Sequence, residues 1–388
     1  MEGNRFVKPH ELLYPAEFDR FRLISVLLRK ERRDIGIDQD ELTARCNSSS
    51  VRIVQMTKVR IANLETLQNT ISNRTRKVER RHLLQIAAGG LQLKRMQLDV
   101  LLWLFDGNVL NQEEHIECYS RAKDDSNDRD ISSESLRERA WKMLREVLDW
   151  TFQRQNGEHK AKVRIFAADE KSRVQADRVA LTLARARGQR LLATEYPSHI
   201  LTNPDEALAY MSDQIGSLSK RATDSISAAN YDRYDALIES IKIYGERHII
   251  SKSSLEQFAL YGKEGEGWDY GWKGDIANSQ HRARRINELI GLLNTYGNYQ
   301  IGLSPVTPEL ATEGKSLDLW MLRGMRRRTS TDPWPLLGPR YLAFDDETSA
   351  LALLLCFEDT WYAIDKEDRE KESVISWLTA LRDRIEAQ

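Results

Sequence analysis

The chain has 388 residues, with 58 Lys and Arg against 59 Asp and Glu, 41% hydrophobic residues and three cysteines. This length exceeds what one hydrophobic core usually supports, so two domains are expected, and the apolar content excludes a largely disordered chain. A net charge of −1 gives the whole chain no attraction to nucleic acids or membranes. The cysteines have no CxxC spacing, which excludes a zinc cluster and fits a reducing compartment.

The first residues contain no apolar stretch of the signal-peptide type. The longest apolar runs, such as 350–357, are far shorter than a bilayer span. We therefore expect a cytoplasmic protein with no membrane partner.

The first part of the chain predicts a bundle of short helices. Residues 17–34 carry apolar residues at helical spacing, and Gly36 stops this helix. Asp38 and Glu41 stand at the capping positions of a second helix. A third helix, or two short ones, is expected within 51–70. Further helices, of which the first two end in glycine, are expected at 78–90, 94–107 and 112–122.

A polar segment, residues 123–135, is the best linker candidate because it is rich in Ser, Asp and Asn. It separates a helical domain over 1–122 from a larger domain over 136–388, which starts with an amphipathic helix at 136–153. In the larger domain, further helices are expected at 171–187, 205–229, 231–244, 281–296 and 370–387. Strands are expected at 163–166, 191–194, 248–250, 299–303, 317–322, 341–344 and 350–357. This mixture predicts an α/β or α+β layer architecture.

The positive charge of the chain is concentrated in its first part. Between Arg20 and Arg95, 17 Lys and Arg stand against 7 Asp and Glu, an excess of ten positive charges. The rest of the chain therefore carries a net charge of −11. A basic surface on a small helical domain is typical of a protein that binds a phosphate backbone, and a solvated helix face is the alternative.

Residues 23–65 carry the pattern of a helix-turn-helix. The first helix ends in the basic run Leu28–Arg32, Gln39 and Leu42 follow in the second helix, and residues 57–65 read Thr-Lys-Val-Arg-Ile-Ala-Asn-Leu-Glu. In these segments the chain resembles the DNA-binding domain of the Cro/cI-type (xenobiotic-response-element) family of bacterial and phage regulators. The resemblance implies an all-α helix-turn-helix bundle that binds double-stranded DNA as a homodimer.

The turn before the third helix contains about eight extra residues, Ser48–Gln55, compared with the family's short turn. Two registers follow from this difference. In the first, the recognition helix starts near Thr57. In the second, it runs from Ser50 and brings Arg52 to the DNA. The first register is preferred because residues 61–65 match the family better.

The resemblance implies a set of DNA contacts. Lys58 and Arg60 would reach guanine edges, and Asn63 would bind adenine or a phosphate. Gln39 would bind the backbone or a base, and basic residues beyond the recognition helix would bind phosphates. The full set is Gln39, Arg52, Thr57, Lys58, Arg60, Asn63, Arg74, Arg76 and Lys77. For each of these residues taken singly, a surface salt bridge is the alternative.

The larger part carries no Gly-rich phosphate loop, GxSxG or HExxH motif, and no metal-ligand spacing. We therefore expect no enzymatic activity and no cofactor. The order of strands after residue 245 loosely resembles phospholipase-D-type α/β domains. Since the His-x-Lys-x4-Asp signatures of those enzymes are missing, the resemblance implies a non-catalytic domain that senses a signal or dimerises.

The segment Phe258–Trp272 combines glycines with aromatic residues, which can stack on a planar ligand or on another chain. Arginines of the following helix would pair with an anionic ligand. The predicted ligand site for a small-molecule or protein signal comprises Trp268, Tyr270, Trp272, Arg282 and Arg285. Packing of the tryptophans on the core and solvation of the arginines are the alternatives.

The sequence thus predicts a sequence-specific transcriptional regulator with an N-terminal helix-turn-helix and a larger C-terminal sensor or dimerisation domain. Two alternatives remain open at this point. One is a DNA-directed enzyme with a nuclease-like α/β domain, and the other is a protein-interaction module.

Overall fold

The computed structural model describes residues 17–51, 54–66, 79–119, 132–154, 162–166, 170–194, 219–261, 279–308, 310–315, 317, 319–324 and 341–388. Within these ranges the chain forms thirteen α-helices and one seven-stranded sheet. Contacts between residues divide the chain into two compact units, Met1–His159 and Lys160–Gln388. None of the helices in these ranges has the length and apolar character that a membrane crossing requires.

The described residues of the first unit form seven α-helices and the turns between them, and no strand is found among these residues. One helix continues into a π-helical turn, Gln85–Gly90. The helices are α1 (Glu17–Asp34), α2 (Gln39–Ser48), α3 (Lys58–Thr66), α4 (Arg80–Leu84), α5 (Arg95–Asp106), α6 (Gln112–Tyr119) and α7 (Ser133–Arg154).

Local signals in the sequence account for several of these boundaries. Gly36 follows α1 with a φ of +73°, a conformation that glycine adopts without strain. The Asp38 carboxylate accepts a hydrogen bond from the Glu41 amide at 2.8 Å and caps α2. Gly107 ends α5 in the left-handed conformation, with a φ of +79°.

Helix α5 forms the centre of the first unit's core. Its side chains from Leu98 to Leu104 are buried, and it contacts α1, α4 and α7. Helix α7 begins at Ser133, within the segment expected to be a linker, and the Arg33 guanidinium lies 5.9 Å from the ring centre of Trp150. By its contacts α7 belongs to the first unit, whereas the sequence analysis assigned this helix to the second part.

The second unit is built on the sheet, whose strand order is β1-β7-β6-β5-β2-β3-β4. Strands β2, β3 and β4 are parallel, and the remaining pairs are antiparallel. The strands are β1 (Val163–Phe166), β2 (Arg190–Thr194), β3 (Glu246–Ser251), β4 (Tyr299–Ser304), β5 (Leu310–Lys315), β6 (Leu319–Gly324) and β7 (Tyr341–Phe344). The helices are α8 (Glu170–Arg185), α9 (Lys220–Tyr244), α10 (Lys252–Tyr261), α11 (Ser279–Thr295), α12 (Glu347–Ala363) and α13 (Lys371–Glu386).

The strand expected at Ala350–Phe357 is wrong, because these residues lie within α12. The Asp346 carboxylate accepts a hydrogen bond from the Ser349 amide at 2.8 Å and starts the helix. An apolar run of this length is compatible with a buried strand or a buried helix, so periodicity alone does not separate the two. A capping residue in front of the run was the local signal for a helix.

Three further elements differ from the expectation. Helix α9 runs unbroken through the break expected near residue 230. Strand β5 was not predicted, since Thr312, Glu313 and Gly314 make its sequence look polar. The segment expected to be a loop from Phe258 onwards begins inside α10, where Phe258 is buried.

Helix α12 is fixed to the sheet by a buried ion pair. The Arg247 guanidinium of β3 donates to both carboxylate oxygens of Glu358 and, through Nε, to Gln189 Oε1 at 3.0 Å. Arg247 also lies 5.4 Å from the ring centre of Phe357. At Gly302 of β4, a Cβ atom would lie 3.1 Å from the Trp361 ring, so glycine lets the helix approach the sheet closely.

Replacing Glu358 by Gln tests the role of this ion pair. The change leaves the buried Arg247 charge without a carboxylate, and we expect it to lower the free energy of unfolding by about 3 kcal/mol. Equilibrium urea unfolding of the full chain measures the change. Glu372→Gln, at an exposed position of α13, is the matched control and should change it by less than about 0.5 kcal/mol. Equal effects of the two variants would contradict the prediction.

Candidate functional site

The Glu65 carboxylate joins the three helices of the predicted DNA-binding motif. Arg32 of α1 donates to Glu65 through Nε at 2.5 Å and through Nη2 at 2.9 Å, and Gln39 of α2 donates through Nε2 at 2.9 Å. Ser25 of α1 donates to the Glu65 carbonyl at 2.5 Å. Glu65 is only 3% exposed. A bidentate, nearly water-free ion pair has one narrow geometry, so it fixes the orientation of α3 against α1 and α2.

The long turn between α2 and α3 is held by two side-chain amides. Asn47 accepts from the Met56 amide at 2.8 Å and donates to the Met56 carbonyl at 2.9 Å. The buried Gln85 pairs in the same two-way manner with Val54, at 3.0 and 2.8 Å, and also donates to the Cys46 carbonyl at 3.0 Å. These amides satisfy backbone groups that no helix or strand satisfies. Helix α3 then begins at Lys58, as the first register predicts.

Two glycines let the π-helical turn approach α2. A Cβ atom at Gly90 would lie 2.5 Å from Cys46 Sγ and 2.6 Å from Leu42 Cδ1. At Gly89 it would lie 2.7 Å from Ser49 Oγ. The sequence analysis explained these glycines by the end of a helix, and the structure adds close packing as their role.

The first turn of α3 extends into solvent. The Thr57 hydroxyl accepts from the Arg60 amide at 3.2 Å, as an N-cap does. Lys58 is 57% exposed and Val59 is 68% exposed, whereas Ile61 is buried. The buried half of α3 therefore supports an exposed N-terminal turn, which is the part of a recognition helix that reaches base edges.

The charges of this turn differ in how they are paired. Lys58 Nζ donates to the Asp40 carboxylate at 2.6 Å, and this hydrogen bond raises the pKa of Lys58. The Arg60 guanidinium donates to the Gln55 carbonyl at 3.3 Å and forms no ion pair with any described residue. Gln39 is engaged with Glu65. Of the predicted DNA contacts with a described side chain, Arg60 is thus the cation that no carboxylate neutralises.

Several predicted site residues lie outside the described part of the chain. They include Arg52, Arg74, Arg76 and Lys77, the side chain of Asn63, and the aromatic residues Trp268, Tyr270 and Trp272. The two remaining residues of the predicted ligand site, Arg282 and Arg285, lie in α11, and both are buried. The alternative considered for these two arginines, that they face solvent, is therefore wrong.

The second unit contains a row of buried charges that the sequence analysis missed. In the sheet register Arg190 lies between Glu246 and Lys315, so the three side chains share one face. Arg190 donates to Glu246 at 2.7 Å and to Glu313 at 2.9 Å, and Arg233 of α9 donates to Glu313 at 2.6 Å. Lys315 Nζ donates to a hydroxyl and to two carbonyls at 2.6 to 2.8 Å. The charged residues that begin β2 and β3, Arg190 and Glu246, were the available signal, whereas the polar sequence of β5 gave none.

This network shifts the pKa values of two groups strongly. Burial raises the pKa of Glu313, but Arg190 and Arg233 outweigh that effect and lower it to about 2. Burial, aided by Arg190, lowers the pKa of His248 to about 3. His248 is therefore neutral in the folded protein, and its Nε2 lies 2.7 Å from the Thr194 hydroxyl. Within the described ranges, no three His, Cys, Asp or Glu side chains are grouped as metal ligands are.

Comparison of the chain with protein-family models, with curated proteins and with solved structures found no match. The function is therefore inferred from the geometry of the chain alone.

Replacing Glu65 by Gln tests whether its charge holds the motif together. The Arg32 guanidinium would lose its counter-charge in a nearly water-free position, and we expect a loss of about 3 kcal/mol in the free energy of unfolding. Urea unfolding checks this value. Glu41→Gln removes a carboxylate from an exposed pair with Arg45 and should cost less than about 1 kcal/mol. A Glu65→Gln loss as small as that of the control would show that the ion pair is dispensable.

The shifted pKa of His248 predicts a dependence of stability on pH. Because its folded pKa is about 3, below the ordinary 6.5, only the unfolded chain binds this proton between those values. Stability therefore falls as the pH is lowered through this window, by about 1.4 kcal/mol per pH unit. Urea unfolding at pH 7, 6, 5 and 4 measures the slope. His248→Gln removes this titrating group, so the free energy of unfolding of the variant should change less steeply with pH, by about 1.4 kcal/mol per pH unit. An unchanged slope in the variant would show that His248 does not cause this pH dependence.

Proposed function

We propose that the chain is a cytoplasmic, sequence-specific DNA-binding transcriptional regulator that acts as a homodimer. In this proposal the first unit carries a helix-turn-helix of the Cro/cI type, and the second unit senses a signal or dimerises. The single observation that supports DNA binding best is the exposed N-terminal turn of α3, which the Glu65 ion pair holds in one orientation.

The charge of this turn supports the same proposal. Arg60 lies near the start of α3 and has no carboxylate partner among the described residues, and a guanidinium can donate two parallel hydrogen bonds to guanine O6 and N7. On binding, the Lys58 ammonium group would leave the Asp40 carboxylate and contact the DNA instead. An exposed ion pair contributes little to stability, so this exchange costs little. The Val59 side chain on the same turn offers an apolar contact for a thymine methyl group.

A homodimer follows from the geometry of such motifs. One recognition helix reads only a few base pairs, so two copies on half-sites about one helical turn apart supply the specificity. The proposal therefore predicts an operator with two-fold symmetry.

DNA titration tests the proposal. Fluorescence anisotropy with a pool of genomic fragments and with random duplexes, at about 50 and 200 mM salt, should show tight, strongly salt-dependent binding and enrichment of a symmetric site. Arg60→Gln should lower discrimination by about 1–3 kcal/mol at one base position. Arg45→Gln removes the same charge from the exposed face of α2 and is the control.

Two results would contradict the regulator proposal. Weak binding that does not change with salt would favour the protein-interaction module. Cleavage of the duplex in the presence of a divalent metal would favour the DNA-directed enzyme.

The Lys58–Asp40 pair yields a prediction in which a substitution strengthens DNA binding. Asp40→Asn releases Lys58 and removes a carboxylate that repels phosphate, so we expect DNA affinity to rise several-fold at low salt. The double variant Lys58→Met/Asp40→Asn should lose most of this gain. An equal gain with and without Lys58 would show that only the removed negative charge matters.

A further inference from the structure

The second unit buries five arginines in its described part, and four of them have a carboxylate partner. Arg190 pairs with Glu246 and Glu313, and Arg233 pairs with Glu313. Arg247 pairs with Glu358, and Arg285 pairs with Glu288 at 2.8 Å. The fifth, Arg282, has no ion pair with any described residue.

Arg282 is an unusual residue because its charge is buried and unbalanced. Its side chain is 6% exposed, and its Nε has no hydrogen-bond acceptor. Burial lowers its pKa, and no acidic group among the described residues counteracts this shift. A guanidinium nevertheless stays protonated in proteins, and a buried charge without a counter-charge is strongly unfavourable. The position therefore requires an anion.

The place of Arg282 in the fold makes the requirement stronger. It is the fourth residue of α11, a helix of 17 residues. Long side chains in a helix point back toward its N-terminus, which would bring the guanidinium beside the first turn. The first four amide groups of a helix have no partner within it, and its N-terminus carries a partial positive charge. The side chain of Arg282 is buried, whereas Ser279 and Gln280 in the first turn are exposed, so two sources of positive potential meet where the end of the helix reaches solvent.

We propose that Arg282 and the N-terminal turn of α11 form a binding site for a small oxyanion, the carboxylate or phosphate group of a soluble ligand. The planar guanidinium donates two parallel hydrogen bonds to such a group, and the helix amides complete the contact. The adjacent Arg285 is balanced by Glu288 and is not needed as a ligand. The inference concerns the second unit alone and does not rest on DNA binding by the first.

One competing counter-charge is a carboxylate of the chain itself. Residues 262–278, which precede α11 and lie outside the described ranges, include Glu264, Glu266, Asp269 and Asp275. The test therefore distinguishes an internal carboxylate from a bound ligand.

Thermal unfolding of the full chain tests the site, with inorganic phosphate replacing chloride at constant ionic strength and with acetate in a parallel series. The variants are Arg282→Met and, as control, Arg284→Met, which removes the same charge from an exposed position of the same helix. We expect the Tm of the wild-type chain and of the control to rise with the concentration of the anion. Arg282→Met should reduce the apparent affinity at least tenfold. The anion that raises the Tm more, phosphate or acetate, identifies which of the two oxyanion groups the site prefers.

The unliganded proteins give a second readout. In chloride, Arg282→Met should melt at or above the wild-type temperature, because it removes an unbalanced buried charge. If this variant does not fold, Arg282→Lys, which keeps the charge and loses the planar fork, should still show a reduced phosphate response.

Two outcomes would overturn the proposal. An equal response of the wild type and Arg282→Met would mean that the anion binds elsewhere. A wild type that does not respond, together with a lower Tm of Arg282→Met in chloride, would mean that a carboxylate of the chain neutralises Arg282. Neither outcome bears on duplex binding, which is measured separately.

Discussion

The ion pair between Arg32 and Glu65 is the constraint on which the helical motif depends. Glu65 is buried at the end of a nine-residue helix that is too short to be stable alone. A charge in that position must be paired with defined geometry, and here Arg32 and Gln39 supply three hydrogen bonds from two other helices. The direction of α3 is therefore set from its C-terminal end. Its first turn is left free of packing, which a surface that contacts DNA requires.

The turn between α2 and α3 shows how a fold accommodates extra chain without losing that geometry. A loop of irregular backbone beside a core leaves polar groups to satisfy. Asn47 and Gln85 satisfy four of them with their amides, and Gly89 and Gly90 allow the neighbouring turn to approach. Side-chain amides thus hold the described part of this turn, at Val54 and Met56, directly in front of α3.

The second unit handles buried charge on a larger scale. Arginines and glutamates on β2, β3, β5 and α9 neutralise each other across the sheet, and burial, aided by Arg190, keeps His248 neutral. Against this background the unbalanced Arg282 stands out, since the same unit pairs Arg285 only one turn further along α11. A buried arginine with no counter-charge among the described residues is suited to an anion that arrives with a ligand, and such a ligand would be a signal for the regulator proposed above.

The sequence by itself determined those features that depend on residues close together in the chain. Asp38 capped α2, Thr57 marked the start of α3, and Gly36 ended α1, because caps and turns act within a few residues. The tertiary structure decided the rest. Lys58 pairs with Asp40, 18 residues away, and Arg190 pairs with Glu313, 123 residues away. Which charges are neutralised depends on contacts between segments that are distant in the sequence, and a local sequence pattern does not reveal such contacts.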